Sequence, residues 1–176
     1  PQVLGKLKIP GWSDYLHPYD DDHLIGFGKE VDESIDADKV HSDNAVYYTA
    51  VQGMKVSIFD VSDLENPKET HKMVIGDRGT TSELLNNHKA LLFDKDKGVL
   101  GFPITITKNT SEEKGINAQI QTIFDGAILL NISLENGFSE RGRSTNYKDD
   151  TAFKKSGEYF YGDQNKKIKR ILYIGE

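Results

Sequence analysis

Cysteine is absent from the 176 residues, so neither a disulfide framework nor a thiolate metal site can hold this chain together. The compartment stays open, since the cytosol and an exterior protein without disulfides both fit. No apolar run approaches the roughly 20 residues needed to cross a bilayer as a helix. A basic excess is missing too: 22 Lys and Arg against 28 Asp and Glu give a net charge of -6. Phosphate binding wants a basic stripe, so a nucleic-acid partner is not expected. The local cluster Lys166, Lys167, Lys169 and Arg170 reads as a solvated strand edge, which lysines commonly blunt. Also lacking are a phosphate loop, a dinucleotide fingerprint and a Gly-x-Ser-x-Gly elbow. The chain starts at Pro1 rather than Met and is expected to be a piece of a longer protein, so the missing leader says nothing about export.

What is present is a repeat. Met54 to Pro67, MKVSIFDVSDLENP, reads as a strand over Met54 to Val61, with Met54, Val56 and Ile58 on one face. Turn-forming residues follow it, Ser62 to Pro67. A shorter copy recurs at Ala127 to Phe138, where Asn131-Ile132-Ser133 answers Asp60-Val61-Ser62 and Leu134-Glu135-Asn136 answers Leu64-Glu65-Asn66. A strand-plus-turn unit repeated within one chain signals a repeat architecture.

The remaining strands fall around these two copies. Val3 to Ile9, Asp14 to Tyr19 (irregular or edge-placed because of Pro18), His23 to Lys29 and Ala45 to Val51 precede the first, with Gln52-Gly53 as a turn into it. Lys68 to Ile75 follows. The acidic segment Glu30 to Asn44 reads as a surface loop. After the loop Asp77 to Asn87, with one helical turn over Ser82 to Leu85, come strands at Lys89 to Asp94 and Val99 to Thr107. An additional strand is expected at Ile116 to Phe124, with Asp125-Gly126 leading into the second copy. Phe138 to Ser144 is its partner. Thr145 to Ser156 reads as a polar linker, with strands at Glu158 to Gly162 and Lys169 to Gly175.

Two four-strand units then align. Tyr19-Asp20 matches Phe93-Asp94 at an offset of 74, Leu24 to Phe27 matches Val99 to Phe102 at 75, and Asp60 to Ser62 matches Asn131 to Ser133 at 71. The extra length sits at Glu30 to Gln52 and Lys108 to Asp125. Insertions at one repeated position project from one face, often the binding face.

KVSIFDVSD resembles the third strand of a WD-repeat blade, with Phe59-Asp60 as its closing aromatic-Asp pair. Asn87-His88 resembles the Gly-His pair before such a blade, departing at Asn87, and makes His88 a buried hydrogen-bonding residue. LHPYDDDHLIGFGK, KVSIFDVSDLENPKE, VIGDRGT, NHKALLFDK, LENGF and KRILYIG together resemble bacterial and archaeal secreted proteins with a C-terminal β-propeller distantly related to WD repeats. The resemblance implies an all-β propeller segment of about two four-stranded antiparallel blades, 14–76 and 88–144. Residues 1–11 would be the last strand of a preceding blade and 167–175 the first strand of a following one. It also implies an extracellular or cell-envelope location, and it brings no catalytic residues.

Candidate sites compete with plainer roles. Asp20, Asp22, Asp94 and Asp96 are clustered carboxylates suited to calcium, but hairpin turns want the same residues, and the turn reading is preferred. His17 and His23 could share a metal with Asp14 or Asp22 across the first hairpin; a structural role is preferred. Arg78 either clamps an anion or pairs with Asp77. Trp12 is either a binding anchor or an inter-blade plug. The ligand-binding face is expected to include Trp12, Asp14, His17, Asp77, Arg78, Glu83 and His88, drawn from 12–15, 30–52, 77–87 and 108–122. The expected function is a non-enzymatic scaffold or binding module for a protein or polysaccharide. No resident cofactor is expected, and the partners are further blades of the parent chain or other copies meeting through open blade faces. The alternatives are a hydrolase using Asp14, His17, Asp77 and His88, and a calcium-stabilised adhesin.

Overall fold

The computed structural model describes residues 3–35, 50–114, 117–154, 156 and 160–172. Strands β1 (Trp12–Pro18), β2 (His23–Val31), β3 (Val51–Asp60) and β4 (Lys68–Ile75) form one antiparallel sheet in chain order. Strands β5 (Leu92–Asp94), β6 (Val99–Asn109), β7 (Ile120–Ser133) and β8 (Gly137–Ser144) form a second of the same order. A single short helix, α1 (Thr151–Lys154), follows among the described residues. This is the all-β pair of four-stranded units that the repeat predicts.

Alternation along β3 sends Met54, Val56 and Ile58 to one face, and all three are fully buried. Their neighbours Lys55 and Ser57 are buried as well, so β3 is covered on both sides. Paired residues share a face. Ile25 and Phe27 on β2 therefore point with Ile58 and Val56 toward the second sheet, whose Leu100, Phe102, Ile104, Ile128 and Leu130 complete the core. The Phe27 and Phe102 rings meet edge to face, 5.9 Å apart at 77°.

The repeat is exact in its ladders. A bulge between Ile58 and Phe59, opposite His71 and Glu69, recurs between Leu129 and Leu130, opposite Gly142 and Glu140. All four positions are offset by 71. For β2 and β6 the offset is 76, since His23 pairs with Asp60 and Val99 with Asn131. The match of Gly26-Phe27 to Gly101-Phe102 at 75 is therefore one residue out of structural register. A slip of one residue changes face, and this is why Phe27 and Phe102 point at each other rather than in parallel. The same holds for β1 and β5, where the ladders place Tyr19 opposite Asp94 in the repeat, not Phe93.

Several sequence expectations change for physical reasons. Gln52-Gly53 is not a turn but part of β3. Gly53 is needed because a Cβ there would sit 2.1 Å from the Gly76 carbonyl oxygen. Asp125-Gly126 is likewise inside a strand: the two strands expected at Ile116 to Phe124 and from Ala127 are one continuous β7. A Cβ on Gly126 would meet the Ser144 carbonyl oxygen at 2.2 Å. Of Lys89 to Asp94, only Leu92–Asp94 is strand; Asn87 caps a 3-10 turn over His88–Ala90 by accepting the Lys89 N–H. Thr145 to Ser156 contains α1, whose Phe153 is buried and rings with Tyr147 and Phe160. The expected strand Ala45 to Val51 lies outside the described residues up to position 49, as does part of Glu158 to Gly162.

Among the described residues, neither Val3 to Ile9 nor the described part of Lys169 to Gly175 pairs as a strand. Residues 3–9 and 167–172 carry no ladder. Each crosses a face instead. Gly5 lies against the carbonyls of Leu64 and Glu65, and Pro10 accepts a hydrogen bond from the buried Lys55 ammonium at 2.5 Å, on the outer side of the first sheet. Ile171 contacts the Gly101 position on the outer side of the second.

Candidate functional site

Both long connections, β2 to β3 and β6 to β7, leave from the same end of their sheets, together with the β4–β5 loop. At this end the loop over 76–82 is built into the seam between the sheets. Gly76 and Gly79 take positive φ values of 65° and 91°, conformations open to glycine. Asp77 donates its N–H to the Thr107 carbonyl, and Thr80 its N–H to the Asp77 carbonyl. The Thr107 hydroxyl bonds back to the Asp77 and Arg78 carbonyls, and its N–H donates to the Thr80 hydroxyl at 3.0 Å. From the first sheet, the Lys29 ammonium donates to the Thr80 carbonyl. Burial pushes the Lys29 pKa down, and the Asp14 carboxylate partly restores it. A polar loop is thus held rigidly between two apolar layers.

Above the loop lies a cleft of about 320 Å3. Asp32, Ile35 and Gln52 line it from the first insertion, Asp77 and Arg78 from the loop, and Asn109, Ser111, Glu112, Lys114, Ala118 and Ile120 from the second. Its polar groups are positioned by their neighbours. Asp77 accepts the Asn109 N–H at 2.7 Å, and Arg78 reaches the Ala118 carbonyl at 3.4 Å. Asp32 accepts from the Ser34 hydroxyl and N–H, which hold its carboxyl below the usual range, and Lys114 stands 3.7 Å away. The cleft offers carboxylates, cations, amides and a short apolar wall. That set has the chemistry to suit a polar group bearing hydrogen-bonding atoms and one small nonpolar edge.

Of the expected site residues, Asp77 and Arg78 line this cleft and the other five do not. Trp12 donates its indole N–H to Asp14 on edge strand β1. His17 bonds the Tyr15 hydroxyl at 2.8 Å and meets Phe93 edge-on, inside the aromatic layer between the sheets. His88 is exposed and flanks Tyr15, which corrects the expectation of a buried, hydrogen-bonding His88. Glu83 lines a separate hollow of about 150 Å3 with Asp125 and Lys167. His23 bonds Asp20, two ladder steps from the Ile25 that faces His17, and among the described residues no three histidine or carboxylate side chains are grouped to hold a metal. Asp20 also accepts the Asp22 N–H and pairs with Lys95, while Asp94 accepts the Lys97 N–H; these carboxylates, with Asp96, belong to the two hairpin turns at the opposite end. Asp32, Lys114 and the Thr80–Thr107 staple were not singled out in the sequence. The only available signal was their place at the ends of the two insertions.

Two stacked sheets of identical strand order, related by a residue-for-residue ladder repeat, define a propeller-type blade pair. The family model described as "Beta propeller domain" matches residues 1–176, and the chain belongs to that family. Over 103 residues, 58% of this chain, it is 34% identical to an uncharacterized protein of Archaeoglobus fulgidus and equally so to one of Methanocaldococcus jannaschii. The matched region spans about 13% of the length of each relative. No solved structure matches.

Proposed function

We propose that this β-propeller chain is a non-enzymatic binding module of an extracellular or cell-envelope protein, and that its ligand, a protein segment or a polysaccharide, enters the cleft between the two insertions. The observation that carries the proposal is convergence: three connections distant in sequence meet at one end, around a cleft lined by Asp32, Asp77, Arg78 and Lys114. A propeller suits this role, since its blades hold loops on a rigid scaffold. The hydrolase alternative required Asp14, His17, Asp77 and His88 to act on one bond, and the cleft holds Asp77 alone of these. The test uses the full chain against polysaccharide and peptide arrays prepared from cell-envelope material. Arg78→Glu is expected to weaken binding at least tenfold, whereas Leu64→Asp, in the exposed turn at the opposite end, leaves it unchanged. Binding that survives Arg78→Glu and Lys114→Glu together but is lost with Leu64→Asp would place the ligand elsewhere.

A further inference from the structure

The ladders pair Lys29 with Met54 in the first sheet and Thr105 with Asp125 at the equivalent place in the second. In the first sheet that place is closed. Met54 is fully buried, and the Lys29 ammonium donates to the Thr80 carbonyl. In the second sheet a short hydroxyl and a carboxylate stand there instead. The Thr105 hydroxyl donates to one Asp125 oxygen at 2.7 Å, and among the described residues no other hydrogen bond or ion pair reaches that carboxylate. Asp125 is 8% exposed, so a charge in place of a core methionine costs desolvation that one hydroxyl does not offset.

The exchange opens a hollow of about 150 Å3, roughly the room of five waters. Its frame is fixed. Thr81 and Thr105 exchange backbone hydrogen bonds at 3.0 and 2.9 Å, and the Ser82 hydroxyl donates to the Pro103 carbonyl. Buried Leu84 anchors the turn that brings Glu83 and Asn86 to one wall. Lys167 lines the other, and among the described residues it pairs with neither Glu83 nor Asp125. A smaller pocket of about 30 Å3 adjoins across Thr105, Asp125 and Lys167, lined also by Phe160 and Tyr161. Tyr161 is 84% exposed.

Charge decides between ligand classes. Two carboxylates disfavour an anion, and Lys167 disfavours a compact cation. Carboxylate acceptors, an ammonium donor and the Asn86 amide together suit a neutral group that donates and accepts at adjacent atoms, which is the chemistry of vicinal hydroxyls. An exposed aromatic ring suits the other face of such a molecule, because its C–H groups carry the slight positive charge that a π face attracts.

We propose that this hollow is a carbohydrate subsite for one neutral sugar ring: Asp125 accepts from its hydroxyls, Lys167 donates to them, and Tyr161 stacks on its C–H face. The subsite shares no lining residue with the cleft between the insertions and does not depend on what that cleft binds.

The test is a titration of the full chain with glucose, galactose and mannose, with their amino and uronic acid forms, and with a trisaccharide of each neutral sugar, read by saturation-transfer NMR. Saturable binding of at least one neutral sugar is expected, at least fivefold weaker for its charged forms. Asp125→Met, which installs the first sheet's residue, is expected to abolish that binding without lowering the melting temperature. Tyr161→Ala, at an exposed position, is expected to weaken it at least tenfold with the melting temperature unchanged. Tighter binding of the trisaccharide would assign the subsite to a glycan chain, and equal binding to a free sugar; both support the proposal. No binding of any neutral sugar, a preference for a charged form, or binding that survives both substitutions would overturn it.

Discussion

His17 shows how one side chain ties the seam between the sheets to pH. Its ring lies against Phe93 and accepts or donates with Tyr15, and burial pushes its pKa below the ordinary 6.5. As pH falls, the unfolded chain takes up this proton before the folded one. The stabilisation from the neutral ring is thus complete above pH 6.5 and is lost on descent through the lower folded-state value. The melting temperature is expected to fall between pH 7.5 and 5, and His17→Gln should flatten part of that slope; an unchanged slope would remove His17 from the account. The glycines teach a different lesson at the same scale. Gly53 and Gly126 look like turn residues in sequence because turns and close strand contacts both select glycine. What distinguishes them is the carbonyl oxygen within 2.1–2.2 Å of the missing Cβ, which comes from Gly76 just past β4 in one case and from Ser144 of β8 in the other, and which the local sequence does not name.

Among the elements, β2, β3, β4 and β6 were legible because alternation and turn residues agree over seven or more residues in each. β5 was not. Its apolar run Lys89 to Asp94 mixes a capped 3-10 turn with a three-residue strand, and short runs carry too little period to separate the two. The terminal segments pair with no strand among the described residues, and pairing is not written in the paired residue alone. Their anchorage is tertiary. Lys55, 1% exposed, donates to Pro10 and stands 3.8 Å from Glu69, which also accepts from Ser57. Lys55→Met leaves the Pro10 carbonyl without its donor and the Glu69 carboxylate with Ser57 alone, at an expected cost of about 3 kcal/mol. Residues 3–10 should then become sensitive to limited proteolysis. Denaturant unfolding and a protease time course would check both effects, and intact resistance would mean that Gly5 and its neighbours hold the segment by themselves.

Across the whole molecule, the sequence offsets of 74, 75 and 71 located the repeat but blurred its register. The 71 was right because the bulge and the glutamate opposite it are preserved; the 75 followed a Gly-Phe match that occupies opposite faces. The cleft was legible only as a region, the face where both insertions emerge. Its chemistry depends on which side chains turn inward, and local pattern does not encode that. Phe102 lies at the centre of the wedge and is fully buried against Phe27. Phe102→Ala is expected to cost about 4 kcal/mol. Because the ring belongs to both sheets' interior, the loss should appear as one earlier cooperative transition and not as separate melting of the second sheet. Calorimetry would distinguish these outcomes.

The paired irregularities near the mouth have a consequence for how such proteins diverge. Lys29 and Val31 skip a partner opposite Met54 and Val51, and Thr105 to Thr107 do the same opposite Asp125 and Thr122. A strand that has already broken step there insulates the ladder below from anything grafted beyond it. New loops can lengthen, shrink or be exchanged at that rim while every hydrogen bond nearer the opposite end keeps its partner. Variation in what the mouth recognises is thereby uncoupled from the stacking that keeps the blades together.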